Sequence, residues 1–232
     1  MIDYQYFYLF GDLVIFLPIW VILFLLRRDL HKELIISGLF GALAAAISEP
    51  FFLMDYWRPP YFFYFPIGFG LEDLIFNFLC AGIAAVLYEF ILGKHLSRRR
   101  DHHHHWILIS IISIIVLIST FIAINIGSSI NSIYVLFMML LLWSLVLLFY
   151  RHDLLKDALL SAVFFAFFYF FAFLIILKIY PEAVTRFWLL ENLSGIFILG
   201  IPIEELLFAF FTGLAVGPFY EFMCGLKIKD HN

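Results

Sequence analysis

The stretches LEDLIFNFLCAGIAAVLYEF (71–90) and IEELLFAFFTGLAVGPFYEF (203–222) decide the architecture of this 232-residue chain. Each is a mainly apolar run of about 20 residues, the length that a helix needs to cross roughly 30 Å of hydrocarbon. The two stretches are copies of each other, because Glu72 aligns with Glu204 and both runs open on two acids and end on Tyr-Glu-Phe. The pattern predicts a duplicated membrane-spanning helix.

A second pair of segments repeats in the same order. DLHKELIIS (29–37) matches DLLKDALLS (153–161). We therefore predict two three-helix repeats, over residues 1–93 and 132–232. A three-helix unit reverses direction when it is repeated, so a connector helix within residues 94–131 is needed to make the repeats parallel.

The composition agrees with a membrane protein. Hydrophobic residues make up 65% of the chain and charged residues 14%, far from the roughly 25% charged of soluble domains. We predict an all-α, polytopic fold with seven transmembrane helices. Their predicted ranges are 4–26, 34–54, 67–92, 106–125, 132–150, 158–179 and 197–224.

The basic residues predict the orientation. With the N-terminus outside and the C-terminus cytoplasmic, 11 of the 14 Lys and Arg residues fall in cytoplasmic links or in the C-terminal tail. Positive residues favour the cytoplasmic side of a membrane. We therefore expect a multi-pass protein of the cell membrane in this orientation.

Several partner classes are disfavoured. The net charge is -4, and no basic patch in a polar setting is present, so we expect no nucleic acid partner. Neither a GxGxxG nor a GxxxxGK[ST] motif occurs, and we expect no cofactor. The tract His102–His105 follows three arginines, and we interpret it as a solvated loop, with no bound metal.

A carboxyl group buried inside a membrane costs free energy, so we expect each such group to have a function. The pairs Glu72 with Asp73 and Glu204 with Glu205 stand at the start of matching helices. One interpretation is that these acids form polar contacts between neighbouring helices. Their repetition favours a catalytic site in which the two pairs meet across the repeats, with neutral carboxyls donating protons.

Other residues are candidates for contact with a substrate or for the rim of the site. The predicted substrate-binding residues are acids and aromatics near the same depth: Asp12, Glu49, Asp55, Trp57, Phe76 and Phe208. The later acids Glu89 and Glu221 reach the predicted cytoplasmic boundary beside tyrosines. We expect those two to be solvated at the interface.

PIEELLF (202–208) and its partial copy GLEDLIF (70–76) resemble the lycopene cyclase domain family. In that family a three-helix unit carries a Pro-x-Glu-Glu/Asp motif at the start of its last helix. The resemblance extends over nearly the whole chain. The first copy departs from the pattern, with Gly70 in place of proline and Asp73 as the second acid. The intact copy therefore places the main acid at Glu204 or Glu205.

The resemblance implies a non-redox cyclisation of lycopene, or of a related C40 carotenoid, to a β-ionone ring. A carboxylic acid protonates the terminal double bond, an internal alkene attacks the cation, and a carboxylate removes a proton. Glu204 or Glu205 is the expected donor, and the other acid the base or brace. The substrate and membrane lipid are the implied partners, because a C40 polyene dissolves in the bilayer.

The sequence lacks residues that two other classes of membrane protein require. A retinal-binding opsin needs a Lys within the last helix, and 197–224 has none. A CAAX-type protease needs Arg at position 209, which is Ala, and histidines inside a span. Two alternatives stay open: a proton-coupled carrier built from parallel repeats, and a cyclase relative that acts on another isoprenoid.

Overall fold

A computed structural model describes residues 3–98 and 105–229 of the protein. Within these ranges seven helices are long and apolar enough to cross a membrane, which confirms the predicted all-α class and fits a multi-pass membrane protein. We number them α1 to α7: Tyr4–Leu26, Arg28–Asp55, Leu71–Leu92, Trp106–Gly127, Ser132–Tyr150, His152–Ile179 and Ile203–Cys224.

Two predicted spans begin too early. Residues 67–70 are not helical but belong to a short β-hairpin over 64–70 in front of α3, and residues 197–202 form a second hairpin in front of α7. Both hairpins turn through a glycine in the left-handed region, Gly68 at φ 101° and Gly200 at φ 86°, a conformation that favours glycine. The strands are β1 Tyr64–Phe65 with β2 Phe69–Gly70, and β4 Phe197–Ile198 with β5 Ile201–Pro202.

The helices pack in two groups that meet in the middle. The helix α2 packs mainly on α3, and α6 mainly on α7, while α3 contacts both α6 and α7. The helix α4 packs on α5 and on the last turn of α7. The helices therefore follow one another in the same order in the two halves, and α4 lies between the halves in the sequence.

Small residues let the paired helices approach closely. A Cβ at Gly41 of α2 would lie 2.5 Å from the Cβ of Ala81 in α3, and a Cβ at Gly213 of α7 would lie 2.7 Å from the Cα of Ala162 in α6. Close backbone contact of this kind stabilises helix pairs where the hydrophobic effect between spans is absent.

Two helices are irregular. In α1, residues Gly11–Phe16 form a π-helical turn, in which the Leu17 N–H donates to the carbonyl of Asp12. Such turns widen the helix and are frequent at functional sites. In α7 the helix Ile203–Val216 ends before Pro218 and resumes over Phe219–Cys224, because proline has no N–H to continue the helical bonding.

One end of the bundle, which we call the basic end, is held by a strand pair and two arginines. The strand β3 His95–Arg98 pairs antiparallel with β6 Leu226–Lys229. Arg27 donates to the carbonyl of Glu89, and Arg151 to the carbonyl of Glu221, at 2.7 and 3.3 Å. The tract 102–104 lies outside the described residues.

Candidate active site

At the other end of the bundle, the first acid of each pair binds the loop in front of its own helix. Glu72 accepts the Phe62 N–H at 2.6 Å. Glu204 accepts the Ser194 N–H at 2.8 Å and the Tyr134 hydroxyl at 2.8 Å. Both acids are buried. Their geometry anchors the two hairpin loops to the start of α3 and α7.

The second acids differ because the residues before them differ. Asp73 accepts the Gly70 N–H at 2.7 Å and the Tyr8 hydroxyl at 2.9 Å, so one of its oxygens caps the start of α3. Pro202 occupies the matching place before α7 and has no N–H. Glu205 therefore lacks this backbone donor, and its carboxyl turns towards side chains.

Glu205 accepts hydrogen bonds from three buried aromatic residues. Tyr169 donates at 2.6 Å, Trp188 at 2.8 Å, and the Tyr56 hydroxyl donates to the same oxygen as Trp188. Burial raises the pKa of the Tyr56 phenol well above its ordinary value, so this group stays a donor at neutral pH. An ionised carboxylate only accepts, and three donors suit that form.

A backbone contact joins the two halves above Glu205. Trp57 and Trp188 form an isolated antiparallel bridge, with their ring centroids 5.4 Å apart. The two indoles then diverge, because Trp188 donates to Glu205 while Trp57 donates to Glu49 at 2.8 Å. Tyr61 also donates to Glu49, at 3.1 Å. The bridge therefore fixes two buried carboxyls at once.

A cavity with a volume of about 70 Å³ lies between the two halves at this depth. Its size admits a few water molecules or the compact end of a longer apolar molecule. The walls are mostly aromatic, and the polar groups on them are few. The acids that line it are Asp12, Glu49 and Glu205.

Of the three acids that line the cavity, Asp12 has the fewest hydrogen bonds. The side chain is 0% exposed, and neither oxygen has a hydrogen-bond partner among the described residues. It stands in the π-helical turn of α1, which packs against α3 and α6. An isolated buried charge is very costly, so the surroundings of Asp12 suit a neutral carboxylic acid.

Aromatic rings face the space beside these acids. Phe76 of α3 and Phe208 of α7 stack with centroids 6.4 Å apart and planes 19° from parallel. Tyr169 meets Phe208 edge-on at 6.0 Å. Ring faces carry partial negative charge and attract a cation. The cavity therefore combines one carboxyl without a donor among the described residues, two carboxyls held by donors, and aromatic faces.

The structure separates the predicted site residues into two groups. Those that line the cavity are Asp12, Glu49, Trp57, Phe76, Glu205 and Phe208. Those that lie outside its lining are Asp55, Glu72, Asp73 and Glu204. Asp55 accepts the Ser132 N–H at 2.9 Å and also its hydroxyl, so its carboxylate is directed at the start of α5.

Sequence reasoning missed the donors around Glu205. Tyr56 is 149 residues away along the chain and Tyr169 is 36 away, and neither stands in a motif that connects it to the acid. Trp188 offers one signal, since it is an indole in the loop before α7, as Trp57 is before α3.

One expectation at the basic end is wrong. Glu89 and Glu221 are not solvated at an interface, because both are 0% exposed. They lie close to Glu33, which is also 0% exposed. Arg27, between α1 and α2, and Arg151, between α5 and α6, donate to the backbone carbonyls of Glu89 and Glu221 and so lie over the ends of α3 and α7.

The fold and the cavity define a polytopic helical membrane protein with carboxyl groups buried among aromatic rings. In comparisons with known proteins, the family described as lycopene cyclase matches residues 131–223. The matched part of the chain, which includes α5, α6, Glu205 and Phe208, is similar to the lycopene cyclase family. The match supports a carotenoid cyclase function. No curated protein and no solved structure matches the chain.

Proposed function

We propose that the protein is an integral-membrane lycopene cyclase that forms β-ionone rings. The observation that carries the proposal is the cavity in which Asp12 and Glu205 stand among aromatic rings. The family match over residues 131–223 supports the substrate class. The resemblance of GLEDLIF (70–76) extends the proposal to a two-repeat enzyme.

In this proposal Asp12 is the proton donor. Its carboxyl has no hydrogen-bond donor beside it, lies in a buried site and lines the cavity. A neutral acid in a low-dielectric pocket is suited to protonate an alkene. The proposed donor is therefore a residue of α1, and not a member of the Glu204/Glu205 pair that we expected from the sequence.

Glu205 is the proposed base. Its three donors support a carboxylate, which removes the proton that leaves the ring alkene. One proton enters at the terminal double bond and one leaves from the ring, so the reaction is an isomerisation with no redox change. Glu72 and Glu204 then have a supporting role, as anchors of the hairpin loops.

The aromatic walls stabilise the carbocation between these two steps. Phe76, Phe208 and Tyr169 present rings to the cavity, and each desolvated ring stabilises a cation by about 0.5–2 kcal/mol. The apolar walls also exclude water, which would trap the cation as an alcohol.

Only an end of a C40 polyene fits in a cavity of about 70 Å³. A second cavity of about 160 Å³, between α2, α4, α5 and α7, is lined almost wholly by apolar side chains. Phe52 of the first cavity and Phe121 of the second meet at 6.4 Å. We propose that the rest of the polyene follows this apolar route to the lipid.

The proposed orientation keeps the basic end in the cytoplasm. The links at that end hold most of the Lys and Arg residues. The cavity then lies towards the outer half of the bilayer, where a membrane-dissolved substrate enters from the side.

Expression in a lycopene-accumulating host tests the function. We expect a new pigment of unchanged mass with the shortened conjugation of γ- or β-carotene. Conversion of added, unlabelled lycopene by membranes that contain the protein and are suspended in D₂O is expected to add one deuterium per ring, because the donor exchanges its proton with solvent. Unchanged lycopene, with the protein folded in the membrane, would refute the cyclase and favour another isoprenoid substrate or the carrier.

Amide variants test the roles. Asp12→Asn and Glu205→Gln are each expected to slow ring formation by about 100-fold or more, the usual contribution of a general acid or base. Glu191→Gln, at an exposed acid, is the matched control and is expected to be as active as the natural chain. Full ring formation by either cavity variant removes that residue from its role.

A further inference from the structure

A second set of carboxyl groups lies at the basic end, far from the cavity. Glu89 follows Glu72 along α3 by roughly 25 Å at 1.5 Å per residue. Glu33 of α2, Glu89 of α3 and Glu221 of α7 each offer an oxygen within 4.8 Å of the others. All three are 0% exposed. These residues form a carboxyl cluster inside the bundle.

The described residues supply the cluster with no donor other than a proton shared between Glu33 and Glu221. None of the six carboxyl oxygens of Glu33, Glu89 and Glu221 has a partner outside the cluster among the described residues. Unpartnered polar atoms are rare in protein interiors, and charged ones cost several kcal/mol each. A group absent from the protein itself, an ion or shared protons, is needed to compensate them.

A fourth acid, on α6, lies near the cluster but is not one of the three acids whose oxygens meet within 4.8 Å. Asp157 is 1% exposed and close enough to interact electrostatically with Glu89 and Glu221. The Ser161 hydroxyl donates to one of its oxygens at 3.0 Å and so fixes the side chain, while the other oxygen has no partner among the described residues. Asp157 therefore adds a fourth buried acid beside the three-residue cluster.

The neighbouring arginines are engaged elsewhere. Arg27 pairs with Asp29 at 2.9 Å and Arg151 with Asp153 at 2.8 Å. Their remaining hydrogen bonds go to backbone carbonyls, including those of Glu89 and Glu221. The guanidinium groups therefore make no hydrogen bond to the carboxyls of the cluster, although Arg27 lies near enough to interact electrostatically with Glu89, and Arg151 with Glu221.

We propose that this cluster binds a hard divalent cation, such as Mg²⁺, Mn²⁺ or Ca²⁺. The donor set is entirely oxygen, which such ions prefer. Ligand oxygens bonded at about 2.0–2.6 Å lie at most roughly 4–5 Å apart across an ion, and the 4.8 Å limit on the three acids agrees with this spacing. The ion links α2, α3 and α7 and offsets two of the negative charges.

Carboxylates from several helices that converge in a bundle core hold metal ions in other helical proteins. Here the acids come in matching pairs, since Glu33 aligns with Asp157 and Glu89 with Glu221. The site is independent of the cyclase proposal, because none of these acids lines the cavity. Its predicted role is to lock the basic end of the two halves together.

Manganese binding to the full chain tests the proposal. The detergent-solubilised protein is stripped with a chelator and titrated with Mn²⁺, and free Mn²⁺ is followed by electron paramagnetic resonance. We expect one bound Mn²⁺ per chain, displaced by Mg²⁺ or Ca²⁺, and a rise of several degrees in the unfolding temperature. No stoichiometric binding by the natural chain overturns the proposal and indicates shared protons.

Variants locate the ion. The double variant Glu33→Gln, Glu221→Gln is expected to lose Mn²⁺ binding by 100-fold or more, and to lose the metal-dependent rise in unfolding temperature. Glu205→Gln and an alanine variant of the tract 102–104 are expected to keep both, which excludes the cavity and the histidines. Unchanged binding by the double variant overturns the proposal.

Discussion

Replacement of Gly70 tests why the two hairpins carry different acids. Its φ and ψ of -100° and 166° are extended, so backbone conformation does not require glycine. Space does, because a Cβ would lie 2.2 Å from Cδ1 of Tyr61. The Gly70 N–H also donates to the Asp73 carboxylate, which caps the start of α3. A substitution can therefore disturb two separate interactions.

The magnitudes follow from these two interactions. Gly70→Ala keeps the N–H and adds the clash, and overpacking of this kind costs about 1–3 kcal/mol. Gly70→Pro adds the loss of a hydrogen bond to a charged group, worth about 1.5–3 kcal/mol. The sums are about 1–3 kcal/mol for alanine and about 2.5–6 kcal/mol for proline.

Unfolding in detergent measures both variants, and a Tyr61→Ala background separates the two effects. In that background Gly70→Ala is expected to be nearly neutral, whereas Gly70→Pro keeps the cost of the lost N–H. If proline is no more destabilising than alanine, the backbone cap of Asp73 contributes nothing and our account of the two hairpins is refuted.

Glu205→Ala leaves three buried donors unpaired and is expected to cost about 3–9 kcal/mol in thermal unfolding, with Glu205→Gln costing less than half of that. Phe76→Leu is expected to slow ring formation by about 2- to 30-fold through lost cation stabilisation, and Phe171→Leu, at an exposed phenylalanine, is the control in pigment assays. Asp55→Ala removes the acceptor at the start of α5 and is expected to lower stability by about 1–3 kcal/mol without a change in pigment per folded protein. Pro202→Ala gives Glu205 a backbone donor and is expected to slow ring formation in a protein of near-natural stability; full activity would contradict the importance of the missing N–H.

The spans were predictable because hydropathy is a local property. The seven apolar runs, the acids of α3 and α7, and the aromatic character of their surroundings all follow from the sequence. The starts of α3 and α7 were not predicted correctly, since 67–70 and 197–202 are as apolar as the helices that follow them. Their hairpins depend on the left-handed glycines Gly68 and Gly200.

The functional difference between the two acid pairs was only partly visible. The sequence shows Gly70 against Pro202, and we treated this as a departure from a motif. The consequence of this difference depends on the Gly70 N–H, which donates to Asp73 and has no counterpart at Pro202. Only the three-dimensional structure shows this hydrogen bond. The donors to Glu205 come from two other segments, and no local pattern connects them with the acid.

Asp12 and Glu33 show two further limits. Asp12 was predicted as a substrate contact because it is an acid in the first span, but its lack of partners appears only in the packed structure. Glu33 lies in the repeated segment 29–37, where it aligns with Asp157. That alignment was a usable signal for the carboxyl cluster, which we had missed.

The two ends of the bundle use matching acids in different ways. At the cavity end, Asp73 is tied to a backbone cap and lies outside the cavity lining, while Glu205 is held by side chains and lines the cavity. At the basic end, Glu33, Glu89 and Glu221 are equally buried and equally unpartnered. Equivalent oxygens around a point suit a small spherical ion, which has no direction to recognise.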